Sequence, residues 1–212
     1  AGGPITRAKN SNNWIFRVSV DDNLAGEFLA NSALNKSQCK SIGLLVENTA
    51  WGNSNKKNIV NYLEKRGITN EVQSFNWGVT KQSAMGILTK LTNNKINCLI
   101  TIGNGGDLSI ITKAMLLMPK QKRIPIISHW GITTSDFHKQ VPALSRKKLD
   151  ISFLQTCFSF NNKLSKEHKL IFDKLKKLYP LIKSGKDINS PVGLIHGYDA
   201  AKIVIAGMNQ MK

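Results

Sequence analysis

Long apolar runs are missing from this 212-residue sequence. The longest uncharged apolar stretches, such as Ile42 to Val46 and Val192 to Ile195, are far shorter than the roughly 20 residues that cross a bilayer as a helix. No charged-then-apolar leader opens the chain, so the expectation is a soluble protein. The sequence starts Ala1-Gly2-Gly3-Pro4 without methionine, as a processed, excised or truncated chain does. Proline is scarce, with 6 residues, and 16 glycines beside 41% hydrophobic residues exclude collagen-like, low-complexity and disordered classes. Acidic residues are few: 13 Asp+Glu face 30 Lys+Arg, a formal charge of +17. Such a balance first suggests nucleic acid or an acidic membrane surface. Yet 25 of the 30 cations are lysine, whereas readout through a planar fork favours arginine. The cations also lie in short clusters (Lys56-Lys57, Lys120 to Arg123, Arg146 to Lys148, Lys174 to Lys177) without one dominant tract. With 21 Asn and 22 Ile beside them, lysine-rich coding bias explains the charge more simply than a specific nucleic-acid partner.

Cysteine and the usual catalytic signatures are equally thin. Cys39, Cys98 and Cys157 have no C-x-x-C spacing, so neither a zinc nor a redox motif is present, and the expected state is buried free thiols. His129, His138, His168 and His196 lack the H-E-x-x-H, G-x-S-x-G or paired-acid contexts of metal and nucleophilic catalysis. No enzyme, no metal and no cofactor are expected.

What is present is alternation. Ser41 to Glu47 reads as a strand buried on both faces. Asn55 to Arg66 follows at helical spacing, with Gly67 placed to end it. Val72 to Phe75, Cys98 to Ile102 and Ile124 to Ile127 read as further strands, with helices over Lys81 to Thr92 and Asp107 to Met118 between them. This pattern predicts a doubly wound parallel α/β sheet. Upstream, Trp14 to Val18 reads as a strand and Asn23 to Leu34 as a helix capped by Asp21-Asp22. Downstream come a strand over Ile151 to Phe158, a helix over Lys166 to Tyr179 capped by Ser165, and a last helix near Val192 to Asn209 behind Ser190-Pro191. That last helix carries an apolar stripe with no strand after it.

Ligands of open parallel sheets bind beyond the carboxyl ends of the strands. The loops there hold Trp51-Gly52, Trp77-Gly78, Gly103-Asn104-Gly105-Gly106-Asp107 and Ser128-His129-Trp130-Gly131. Three tryptophans, each followed by glycine, suit a small organic ligand. Asn104 offers an amide, and the backbone amides around Gly105 a place for an anion. Asp107 reads as a helix cap or as a partner for a ligand ammonium, and His129 as a loop-bonding residue ahead of a base.

Together, Phe16-Arg17-Val18-Ser19-Val20-Asp21-Asp22, Glu47-Asn48-Thr49-Ala50-Trp51-Gly52, Phe75-Asn76-Trp77-Gly78, Ser128-His129-Trp130-Gly131 and Leu154-Gln155-Thr156 resemble type I periplasmic binding proteins of the branched-chain amino acid receptor kind. The resemblance implies a two-lobed clamshell that closes on a small ligand in an interlobe cleft and delivers it to the membrane permease of an ABC transporter. It places the protein in the periplasm or otherwise outside the cytoplasm, with a dimer left open. By that resemblance, residues 1–22 are the tail of the first lobe and a crossing segment, residues 23–150 a second ligand-binding lobe, and residues 151–212 a return crossing strand with helices of the first lobe. The chain is then truncated at the first lobe, with only remnants of it present. Trp51 falls where the family places an aromatic against the ligand, and Trp130 where amino acid receptors carry a glutamate that pairs with the ligand ammonium. Thr6 matches the loop that holds a ligand carboxylate. The ligand-binding set is Trp51, Asn104, Gly105, Asp107, Ser128, His129, Trp130 and Thr6, for an amino acid, amide or small carboxylate. A ligand-sensing domain of a receptor or regulator is the alternative use of the same fold.

Overall fold

The computed structural model describes residues 15–36, 39–155 and 158–210. The chain divides into two units, one ending at Leu154 and one starting at Gln155. The first unit is built on five strands: β1 (Ser41–Glu47), β2 (Thr69–Phe75), β3 (Cys98–Ile102), β4 (Ile126–Ser128) and β5 (Ile151–Phe153). All neighbours pair in parallel, in the order β2-β1-β3-β4-β5. The helices are α1 (Asp22–Leu34), α2 (Ala50–Glu64), α3 (Lys81–Asn93) and α4 (Gly105–Leu117), with the short α5 (Phe137–Gln140) and α6 (Ala143–Arg146) before β5.

Side-chain alternation along the strands makes two cores. Ile42, Leu44 and Val46 of β1, with Cys98, Ile100 and Ile102 of β3, face Leu29, Ala30, Ala33, Ile59 and Leu63 of α1 and α2. On the opposite face, Leu45 and Leu99 meet Ala84, Leu88 and Leu91 of α3 and Leu108, Ile111 and Met115 of α4. A strand covered on both faces has no polar side, which is why β1 and β3 read as mostly apolar runs, with Thr101 inside β3 and Ser41 and Glu47 at the ends of β1 as their polar members. Short local devices set the helix starts. Asp21 accepts from the Asn23 N–H (2.9 Å) at the start of α1, and a Thr80–Ser83 capping box opens α3. Gly67, at φ +66°, turns the chain from α2 into β2.

The doubly wound sheet is therefore present, with several local corrections to the sequence reading. Residues 15–18 pair with no strand among the described residues; Arg17 instead bridges to Asp21 at 2.6 Å. Helix α2 starts five residues earlier than its apolar period suggests, because Thr49 caps it. Of the expected strand over Ile151 to Phe158, the described residues form a strand at Ile151–Phe153, which pairs with β4 inside the first unit's sheet. The thiols are also corrected: Cys39 and Cys98 form a disulfide, with Cα atoms 5.2 Å apart. Their 59-residue separation hides from sequence inspection what the sheet brings together. Cys157 and Trp14 lie outside the described residues.

The second unit holds α7 (Lys166–Leu178) and α8 (Pro191–Gln210) around a small cluster of Phe160, Leu175 and Ile188. Ser165 caps α7 by accepting from the His168 N–H.

Candidate ligand-binding rim

The order β2-β1-β3-β4-β5 puts a topological switch point between β1 and β3. The connection from β1 runs to one side and that from β3 to the other, leaving a crevice at their carboxyl ends. Residues at that edge are positioned by tight backbone contacts. Thr49 caps α2 by accepting from the Gly52 N–H (3.1 Å), which sets Trp51 in the first turn. A Cβ at Gly52 would fall on the Glu47 carbonyl, so only glycine lets α2 begin this close to β1. A Cβ at Gly131 would strike the Gly103 carbonyl and lie 3.0 Å from Trp51 Cη2, so the loop after β4 lies against both.

Three aromatic rings meet as a result. The His129 imidazole lies edge-on to Trp51, 4.9 Å between centroids at 80°, and tilted against Trp130 at 4.1 Å and 59°. Both indoles are half-buried, while His129 is fully buried. Neither imidazole nitrogen has a hydrogen-bond partner among the described residues. Burial pushes its pKa down to about 3, so the ring is neutral near pH 7.

Polar groups at the edge are mostly engaged with one another. Glu47 is 2% exposed and accepts from the Asn104 backbone N–H (3.2 Å) and from Asn104 Nδ2 (3.1 Å), a link across the switch point. Asn104 precedes α4 and is itself exposed. The Gly105 N–H donates to Thr134 Oγ1 (3.0 Å), and a Cβ there would fall on the Thr134 carbonyl. Gly105 is thus a packing glycine whose amide is already bonded, rather than an open anion contact. Asp107 accepts from the Gly78 and Val79 N–H groups at 3.1 and 2.9 Å. It ties the loop after β2 to α4 through Oδ1, and Asn104 holds the cap position of α4, which corrects the reading of Asp107 as a helix cap. Ser128 is fully buried, accepts from Thr101 Oγ1 (2.9 Å) and donates to the His129 carbonyl. Ser128 and His129 therefore lie beneath the rim as its support. Trp77, at the end of β2, is 73% exposed, and Asn48 Nδ2 donates to Asn76 Oδ1 (3.0 Å) beside it. Thr6 lies outside the described residues.

The surface that remains is Trp51, Trp130 and Asn104 over a neutral histidine. The sequence reading missed Glu47 and Thr134. Glu47 ends an apolar strand as its one charged residue, which was the available signal; Thr134 had none. Among the described residues, no group of three or more His, Cys, Asp or Glu is placed to hold a metal ion, and no helix is long and apolar enough to cross a membrane. This arrangement offers flat apolar surface and amide groups, with no acid–base pair.

Fold and rim together define a doubly wound α/β lobe with aromatic rings at its switch point. No protein-family model matches the sequence, and no curated protein does. Solved structures do match. A leucine-binding protein from Thermotoga maritima superposes with a TM-score of 0.66 at 14% identity, over 91% of this chain and 51% of that one. A solute-binding protein of an ABC transporter from R. palustris, in complex with 4-hydroxybenzoate, gives 0.67 at 17% identity, over 88% of this chain and 48% of that one. A type 1 periplasmic binding protein from Bordetella pertussis gives 0.63 at 17%, over 87% and 49%. The chain has the fold of type I periplasmic binding proteins, as its motifs suggested, and it spans about half the length of the solved structures it matches.

Proposed function

We propose that this chain is a solute-binding module of an ABC transporter, which takes a small ligand onto the rim formed by Trp51, Trp130 and Asn104 and passes it to a membrane permease. The observation that carries the reading is the layer of Trp51, His129 and Trp130 at the switch point, where open parallel sheets bind ligands. The match in fold to proteins described as leucine-binding and as bound to 4-hydroxybenzoate supports a small organic ligand over a macromolecule. The Cys39–Cys98 disulfide supports a place outside the cytoplasm, since such bonds persist in oxidising compartments.

The reading is tested by titrating the 212-residue chain with amino acids, amides and small carboxylates while following tryptophan fluorescence and binding heat. A saturable response is expected for a member of the panel. Trp51→Ala and Trp130→Ala each weaken that response about tenfold, the effect of losing one aromatic face. If no compound gives a saturable signal by either method, the reading fails.

A further inference from the structure

We infer that the rim selects planar ring acids or neutral ring compounds and rejects the matching α-amino acids, because the lobe that carries it supplies no carboxylate to a ligand ammonium. This inference rests on the solute-binding reading and narrows the ligand class for that same rim.

The first unit contains nine Asp and Glu residues, all among the described ones, since residues 1–14 contain none. Five lie at or near the carboxyl edge: four are already engaged, and the fifth, Asp22, is sealed from solvent with no hydrogen-bond partner at Oδ2 among the described residues. Glu47 is buried beneath Asn104 and bonded to it. Asp107 is bonded to two backbone amides. Asp136 pairs with Lys139 at 3.2 Å, and Asp21 with Arg17 at 2.6 Å while capping α1. Asp22 is 3% exposed, and burial raises its pKa. The remaining four stand elsewhere: Glu27 on the exposed face of α1, Glu64 at the far end of α2, Glu71 early in β2 beside Lys90, and Asp150 before β5, bonded to Lys36.

The fixed partial charges act the same way. Helices α2, α3 and α4 each follow a strand and run back along the sheet, so their N-termini, the positive ends of their dipoles, all face this edge. The whole chain adds a formal +17, whose field draws in anions and opposes cations. An indole face could hold an ammonium by cation–π attraction, but such contacts are weak beside the cost of leaving a desolvated cation without a counter-charge. The same indoles stack favourably on another flat ring. Together these features favour a planar ring with a carboxylate or an uncharged oxygen group.

Matched pairs that differ only in the ammonium test this directly. Binding heats of the 212-residue chain are compared for indole-3-propionate against tryptophan, 3-phenylpropionate against phenylalanine, and 4-methylpentanoate against leucine. The expected result is that the two ring acids bind, with tryptophan and phenylalanine weaker by about tenfold or more, and with 4-methylpentanoate weaker than either ring acid. If tryptophan or phenylalanine binds as tightly as its partner acid, or 4-methylpentanoate as tightly as the ring acids, the inference is overturned while solute binding stands. If none of these six binds but another amino acid, or an amide or carboxylate without a ring, does, the inference likewise falls alone. Silence across both panels overturns the inference and the solute-binding reading together.

Discussion

Helix α4 of the first unit and helix α8 of the second are both rich in Ile, Leu, Ala and Met, yet they meet opposite fates. Along α4, Leu108, Ile111, Ala114 and Met115 are buried. Along the 20 residues of α8, only Val192 is buried, and Ile203, Val204, Ile205 and Met208 are each more than half exposed. Apolar content therefore does not decide burial in this chain; the presence of a sheet does. The first unit stacks helices on both faces of five parallel strands and encloses two large clusters. The second has no strand among its described residues and encloses four buried apolar side chains, Phe160, Leu175, Ile188 and Val192. Stability should follow that difference, and the rim is built on the firm side of it.

The largest effect is expected where the first unit is packed most tightly. At Gly105 an added Cβ would fall on the Thr134 carbonyl, and backbone atoms do not give way as a flexible side chain does. Gly105→Ala is expected to destabilise the first unit by about 3 kcal/mol and to lower its melting midpoint by about 10 °C. Near-ultraviolet circular dichroism, which reports on Trp51 and Trp130, measures it. A shift of less than about 2 °C would mean that the helix start and the loop after β4 are not held as closely as described.

A smaller effect comes from the buried imidazole. His129 binds a proton at about pH 3 in the folded chain, against 6.5 when free. Between those values the unfolded chain binds the extra proton, so acidification favours unfolding and stability rises with pH. The contribution is fully present above pH 6.5 and is lost progressively as pH falls toward 3. Going from pH 7 to pH 5 should cost the first unit about 2 kcal/mol from this group. In His129→Phe that part of the dependence disappears, as denaturant melts at the two pH values would show. An unchanged dependence in the variant would assign the acid sensitivity to other groups.

How far the sequence could be read tracks the same contrast between units. Strands β1 and β3 were legible because both faces are apolar, and Gly67 and Ser165 marked their turn and cap through local chemistry. The segment near Phe16 misled, since β-branched and aromatic residues look like a strand whether or not a partner strand lies beside them. At the rim, Trp51 and Trp130 were found from their place after strands. The roles of Asp107 and Gly105 were not, because each is set by a residue about 29 positions away. The Cys39–Cys98 pair was hidden for the same reason: sequence spacing does not reveal that β3 starts beside the entry to β1.

The smallest predicted effect has the opposite sign and sharpens the contrast most directly. Gly197 lies inside α8, and a Cβ added there meets nothing within 4 Å. With no clash to oppose it, Gly197→Ala only removes backbone freedom from the unfolded chain and favours the helix, by about 0.5 to 1 kcal/mol. Amides near residue 197 should then exchange with solvent about threefold to fivefold more slowly, while those of β3 exchange at an unchanged rate. The same glycine-to-alanine change thus weakens the first unit at Gly105 and strengthens the second at Gly197. Faster exchange around residue 197 in the variant would show that α8 is packed there, and the contrast between the two units would fail at that point.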